Sequence, residues 1–386
     1  MVEQKEAKMK VPFGPYHPGL EEPVKFVFEV DGEKITGMDF KLGYNTRGIE
    51  KLVETKDNIQ AIYLLEHICG ICSMCHASAY TQAVEEITGI KPPERALYIR
   101  TILSELERIH SHMLWAGLAG EEMGFKSLMM YCFRERENVL DCIERLTGNR
   151  VHYALVTFGG VRRDITEEDK KFVLEKLEKI DKAIDELTKI FTTDPLVHKR
   201  AVGIGYLSNK EAVARGIVGP TARASGVPYD TRKHDPYMAY DKLDFVVPIE
   251  NDGDVFARTT VRMHELKESV KIVRQALKDI PEGPIAAKYG AIPPGETIHR
   301  VEAPRGEDMH YVKLGENAKV ERVKVRAPTE ANIFALPAMF EGAHVADIPL
   351  VIASIDPCVS CMDRVAFVEG GKTRILTIRD LRMLRK

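Results

Sequence analysis

The sequence predicts an α+β protein that is predominantly α, a helical bundle with β-structure near both termini. Three observations carry this. Long stretches repeat apolar residues at three- and four-residue spacing. Short β-rich runs bounded by turn signals lie at 24–40 and beyond 318. Segments rich in glycine and proline separate the two kinds of element.

Pro12-Phe-Gly-Pro-Tyr-His-Pro-Gly19 holds three prolines and two glycines in eight residues, so it is a shaped loop. Val24–Val30 and Lys34–Phe40 read as strands, with Asp31-Gly32 as the hairpin turn. From about 56 to 145 the period becomes helical, and Ile99, Ile102, Leu103, Leu106, Ile109 and Met113 mark one buried face. Thr166 and Asp169 make a capping-box-like start to a helix running to Ile190. Its stripe is Val173, Leu177, Ile180, Ile184 and Leu187, and its other face is a solvated run of Lys, Glu and Asp. Residues 216–250 are loop-rich. A third helix spans 255–280 on Met263, Leu266, Val270, Val273, Leu277 and Ile280, and Pro281 and Gly283 stop it. Residues 285–355 look mixed, with a strand near Ala318–Val325. Val365–Val368, Gly370-Gly371 and Arg374–Ile378 read as a small hairpin. The chain thus divides into an N-terminal β region with its loop (1–55), a helical core (56–300) and a mixed C-terminal region (301–386).

The 386 residues are 44% hydrophobic and 29% charged, with a net charge of −3. This is an ordinary globular balance with no sign of a nucleic-acid partner. No apolar run reaches transmembrane length. The charged start, Met1–Lys8, lacks an apolar leader, which predicts a cytoplasmic chain without disulfides. Seven cysteines then need another role.

Four of them form Cys69-Gly-Ile-Cys72 and Cys358-Val-Ser-Cys361. This spacing lets two thiolates reach one metal from a turn or a helix end. Zinc ribbons separate their pairs by roughly 15–20 residues. Here 285 residues intervene, which favours a redox metal joining the chain ends over a local zinc clip. Structural zinc and a thiol–disulfide couple are the alternatives. Cys132 and Cys142 read as small buried hydrophobes. Cys75, one helical turn after Cys72, is a ligand, a spectator or a core residue. His67 and His76 flank the first pair, Asp356 precedes the second and Asp363-Arg364 follow it. Arg305 sits in an Ala-Pro-Arg-Gly turn. Such ionisable groups around thiolates suit coupled proton and electron transfer.

Glu66-His-Ile-Cys-Gly-Ile-Cys-Ser-Met-Cys-His76 with Asp356-Pro-Cys-Val-Ser-Cys-Met-Asp-Arg364 resembles the paired motifs of the [NiFe]-hydrogenase large subunit, above all its membrane-bound, energy-converting branch. Phe13–Glu22, Glu105–His112, Gly148–Arg150, Gly159–Asp164, Gly219–Gly226, Glu302–Glu307 and Arg326–Pro328 are similar to that branch and to the quinone-site large subunit of respiratory complex I. The resemblance runs over roughly residues 10–365. It implies a hydrogenase-large-subunit-like helical bundle with peripheral β-structure. It implies that Cys69, Cys72, Cys358 and Cys361 hold nickel and iron, with two cysteines bridging. Glu22 would relay protons, Arg305 would stand over the open coordination position, and Asp356 would hold that arginine. His76 joins them as a catalytic candidate beside the thiols. His17, in the membrane-facing 13–22 loop, and His67 are the cofactor-binding candidates. The implied partners are a small subunit bringing a [4Fe-4S] cluster near Cys69 and Cys72, membrane-arm subunits, and ferredoxin as donor to the complex. The implied place is the cytoplasmic face of the membrane.

Two positions depart from the hydrogenase pattern. His67 stands where this branch usually carries arginine, which exchanges a permanent cation for a titratable ring. Cys75 stands where a small polar residue is common. Both make the chain look more like the archaeal membrane-bound sulfane sulfur reductase. In that family the nickel site is thought idle and a neighbouring iron–sulfur cluster reduces polysulfide. The expected activity is therefore polysulfide reduction in a ferredoxin-driven, ion-translocating complex, with an Ni–Fe site that the four intact cysteines still allow and that is either filled or vacant. Hydrogen evolution at a filled site is the alternative, and a non-catalytic scaffold with structural zinc is the second. The 22 residues after Arg364 add the expectation that the chain is not trimmed there.

Overall fold

The structure is a computed structural model, and it describes residues 9–362, 367–369 and 372–374. Asp363, Arg364 and the Gly370-Gly371 turn lie outside the described residues.

The middle of the bundle is the Glu94–Glu122 helix, packed against Lys126–Thr147, Val255–Asp279 and Ile348–Ser354. Its expected stripe is buried, as is nearly every other side of it: Arg100, Glu105, Glu107, Arg108, His110, Ser111 and His112 have almost no exposed surface. The one-face expectation is thus too narrow. A helix surrounded by others has no solvent side, so its polar residues must find partners inside. The Glu167–Thr193 helix matches its expectation: Thr166 and Asp169 form the capping box, the stripe is buried, and the charged face lies outward. The third helix ends at Asp279 with Ile280 as its cap.

Strands Met9–Phe13, Lys25–Asp31 and Lys34–Lys41 form an antiparallel sheet in that order. Phe26, Phe28 and Val30 alternate inward, as period-two burial requires. A second sheet joins Gly295–Ala303, Gly306–Leu314 and Val320–Arg326. The sequence showed only its last strand clearly. The short terminal hairpin pairs Phe367–Glu369 with Lys372–Arg374. The stretch 216–250 is mostly loop but holds short helices at Gly219–Arg223 and Thr231–His234. Residues from both sheets and all the long helices share one core.

Buried charge cross-links this core. Arg100 makes a two-pronged bridge to Glu85 (2.9 and 2.7 Å) and donates to the carbonyls of Thr157 and Gly160. Removing one partner of such a pair leaves an uncompensated buried charge. Arg100→Met should cost about 3–5 kcal/mol in a denaturant titration. A loss under 1 kcal/mol would show that the bridge is not a structural tie.

A candidate metal centre built from both ends of the chain

The first cysteine pair lies where the chain turns between the Asn58–Glu66 and Ser73–Thr88 helices, and Cys72 caps the second of these. The second pair follows the Ile348–Ser354 helix. That helix is pinned at its end: Trp115 Nε1 donates to the Ala353 carbonyl (2.8 Å) and Arg258 Nε to Ser354 Oγ (3.0 Å). Asp356 then takes a left-handed backbone (φ 54°), and this turn delivers Cys358. The Cys358 N–H donates to Thr329 Oγ1 at 3.0 Å.

All four expected ligands meet. Their sulfurs lie within 4.8 Å of one another and all are buried. Cys358 Sγ stands 3.2 Å from Cys69 and 3.0 Å from Cys361, and Cys72 stands 3.4 Å from Cys361. The four share their protons as one set. Hydrogen bonding from Cys358, then Cys361 and Cys72, pulls the Cys69 thiol well below its ordinary value. The same contacts, with burial, push Cys72 and Cys361 well above theirs. Ionising more than one of them calls for a cation, and a metal supplies it. Buried convergent thiolates are a soft donor set that fits nickel, iron or zinc. Cys75 is outside this set. Its N–H, with that of Met74, donates to Glu107. Cys132 and Cys142 are fully buried, as expected of small hydrophobes.

Arg305 and Asp356 are brought together as expected. Arg305 Nη2 donates to Asp356 Oδ1 (2.6 Å), Nε to the Asp356 carbonyl (2.7 Å) and Nη1 to Ser111 Oγ (3.2 Å). Burial works against its charge, but Asp356 and the neighbouring thiols outweigh burial and keep it a cation. Arg305 sits at the tip of the Gly295–Ala303/Gly306–Leu314 hairpin, where the backbone nearly touches a neighbouring turn. A Cβ on Gly219 (φ 68°) would lie 2.3 Å from the Arg305 carbonyl, so only glycine fits there. The hairpin is braced from behind. Arg108 donates to the Glu302 and Ala303 carbonyls, and Arg223 to the Glu302 carboxylate (2.8 Å).

Glu22 also lies at the site. Its carboxylate accepts the Ser360 N–H at 3.0 and 3.1 Å, the Ser360 hydroxyl, and Asn45 Nδ2 at 3.1 Å. Burial raises it above the usual carboxylate range. His76 Nε2 stands 3.4 Å from Cys361 Sγ. His67 and His17 stay outside the cluster. His67 is exposed, donates from Nδ1 to the Tyr63 carbonyl (2.6 Å) and stacks on His152, with ring centroids 4.0 Å apart. His17 is exposed in its own loop, against Phe13, and accepts the Gly19 N–H.

Three residues placed at the site escaped the sequence reading. Arg47 donates to the carbonyls of His67 (3.0 Å), Ile68 (2.5 Å) and Ser360 (3.1 Å), and so clamps the two cysteine loops together. Glu21 lines the same cleft as Glu22, with Glu122, Pro357 and Val359. Its own surface opens into the cleft, yet protein encloses it on most sides. That enclosure, with Asp356, Glu22 and Glu122 nearby and against the pull of Arg305, raises it to about 7. Glu107 holds the first turn of the helix that carries Cys72. No local pattern marks Arg47 or Glu107, since their partners are distant in sequence.

Burial raises Glu107 to about 7 despite the two N–H donors. A carboxyl whose folded pKa lies above its unfolded value destabilises the fold as pH rises through that window. From 4.5 to about 7, this amounts to roughly 3 kcal/mol. Glu107→Gln should flatten the loss of stability between about pH 5 and pH 7, measured by denaturant titration at each pH. An unchanged slope would assign that loss to other groups.

The sequence matches the family model described as the respiratory-chain NADH dehydrogenase 49 kDa subunit over residues 122–292 and 286–364. It matches that of the nickel-dependent hydrogenases over 47–116. It is 43% identical to "Membrane-bound hydrogenase subunit alpha" of Pyrococcus furiosus, over 97% of this chain and 91% of that one. It is 41% identical to "Carbon monoxide-induced hydrogenase" of Rhodospirillum rubrum, over 92% and 99%. A solved chain of the membrane-bound sulfane sulfur reductase, described as an archaeal respiratory membrane complex, superposes with a TM-score of 0.88 at 33% identity, covering 92% of this chain and 98% of that one. The chain belongs to the family that unites [NiFe]-hydrogenase large subunits with the 49 kDa subunit of complex I, and it is an oxidoreductase subunit of that family.

Proposed function

We propose that this chain is the large, catalytic subunit of an ion-translocating membrane oxidoreductase, and that Cys69, Cys72, Cys358 and Cys361 hold its nickel–iron centre. The observation that carries this is the convergence of four buried thiols with a paired cation, Arg305–Asp356, beside them. Bound there, nickel and iron would supply redox chemistry on hydrogen and protons. The chain's own residues do the rest. Arg305, fixed at three points, presents a constant positive charge to the thiols. Glu22, raised by burial, stands against Ser360 where it can take up and release a proton, and Glu21 continues this line toward the cleft. Arg47 fixes the distance between the two cysteine loops.

The placement in a larger assembly belongs to the same proposal. No helix among the described residues is long and apolar enough to cross a membrane. Membrane-arm subunits would therefore carry the ion path, meeting this chain at the 13–22 loop with its exposed Tyr16 and His17. A small subunit with a [4Fe-4S] cluster would sit over the exposed His67 and the half-buried His152 stacked on it, beside Cys69. Ferredoxin would supply electrons to the complex on the cytoplasmic face.

The sequence placed polysulfide reduction first. We place hydrogen chemistry first here, and the convergent four-thiol set supports a filled site. One observation still favours sulfane sulfur as acceptor: His67 meets His152 at the surface and puts no fixed charge beside the cysteines. Cys358→Ser in the intact complex separates the two. Hydrogen evolution should fall by a factor of roughly a hundred or more, together with nickel content. Sulfur reduction that persists without nickel would support the second reading. Hydrogen evolution that survives the substitution would sink the first.

A further inference from the structure

Behind the four thiols lies a second set of ligand atoms that the proposed reaction does not use. His76 stands on the Ser73–Thr88 helix. Asp308 and His310 stand two residues apart on the Gly306–Leu314 strand, and so on one face of it. All three are at most 1% exposed. His76 Nδ1, His310 Nε2 and Asp308 Oδ2 form a nearly equilateral triangle. The separations are 3.1 Å between the nitrogens, 3.1 Å from Nδ1 to Oδ2 and 3.3 Å from Nε2 to Oδ2.

Hydrogen bonding among the three groups accounts for only part of this triangle. A neutral imidazole has one N–H and one lone pair, and a carboxylate has only lone pairs. If both facing nitrogens carry protons, two donors confront each other at 3.1 Å, and if only one does, the other ring turns a lone pair toward the Asp308 carboxylate. Neither Asp308 oxygen accepts a hydrogen bond of sound geometry among the described residues. Its only ion-pair neighbours there are the same two rings, with no lysine or arginine. Burial works against the Asp308 charge, and attraction to the two rings is what offsets burial; a metal ion between the three atoms would offset it without needing a ring proton.

We infer that His76, Asp308 and His310 form a second metal site, distinct from the four thiols, for a divalent first-row transition ion. The dimensions fit. The centre of such a triangle lies about 1.8 Å from each corner, so an ion about 1 Å off its plane reaches the ~2.1 Å typical of zinc–imidazole and zinc–carboxylate bonds. Two imidazoles and one carboxylate suit iron(II), zinc or manganese. Coordination through Nδ1 leaves the His76 proton on Nε2, which faces Cys361 Sγ at 3.4 Å. Metal-bound imidazoles usually donate their other N–H in this way. His76 thereby bridges the two sites, and a dication there would favour the Cys361 thiolate. The inference holds whether or not the thiols carry nickel.

Cobalt(II), added anaerobically to the purified, metal-free full chain, is the probe. The wild type should take up one cobalt with sulfur-to-metal charge-transfer absorption and a second without it. Asp308→Asn and His310→Gln should each weaken the second by roughly tenfold or more and leave the charge-transfer absorption in place. Uptake of cobalt only with charge-transfer absorption overturns the site, and so does a second cobalt unaffected by both substitutions. Anomalous scattering at the cobalt edge from wild-type crystals tests the site independently of how the variants fold. A peak within bonding distance of the three atoms supports the site, and its absence while the thiols are occupied overturns it. The fate of the charge-transfer absorption reports on the four-thiol reading alone, so the two can fail separately.

Discussion

The structure depends on one closure: two cysteine pairs 289 residues apart must meet in a buried space that rejects unpaired charge. Neither pair can do this alone, since each sits on a short turn. The long central helix lets them meet because it carries partners for both halves. Glu107 holds the helix start behind Cys72, Ser111 holds Arg305, and Trp115 holds the end of the helix before Asp356. Three side chains within nine residues of one helix thus set the positions of elements from opposite ends of the chain. The burial of that helix on all sides follows from this role.

Charge inside the molecule is arranged to the same end. Glu105 lies between Arg108 and Arg232, which hold it below the usual carboxylate range although burial alone would raise it. Arg223 joins Glu265 and Glu302, and Glu302 fixes the hairpin that presents Arg305. Buried ion networks of this kind add little net stability, but losing one member leaves another charge unpaired. They therefore fix geometry. Here the geometry fixed is the distance between a guanidinium and four thiols.

Much of this was legible in the sequence, for identifiable reasons. The Glu167–Thr193 helix has a capping box and one wet face, both local signals. The Lys25–Lys41 hairpin announces its turn with Asp31-Gly32. The cysteine spacing pointed to a shared site, the ionisable groups around it marked His76, Arg305 and Asp356, and the resemblance added Glu22 and the roles of Arg305 and Asp356. The residues that were missed act across the fold. Arg47 lies in a loop with no pattern of its own, yet it ties His67 to Ser360. Asp308 and His310 alternate on a strand whose apolar signal is weak, and their meaning appears only when His76 arrives from a helix. Side-chain periodicity reports which face is buried, not which distant group will face it.

The measurement that bears most directly on the central claim is the nickel, iron and zinc content of the natively purified complex, expressed per copy of this chain. The account predicts about one nickel per chain, held by a soft four-thiolate set. A complex that is active and free of nickel would contradict it, whether the thiols then held zinc or no metal at all. Catalysis would then have to take place on a neighbouring iron–sulfur cluster.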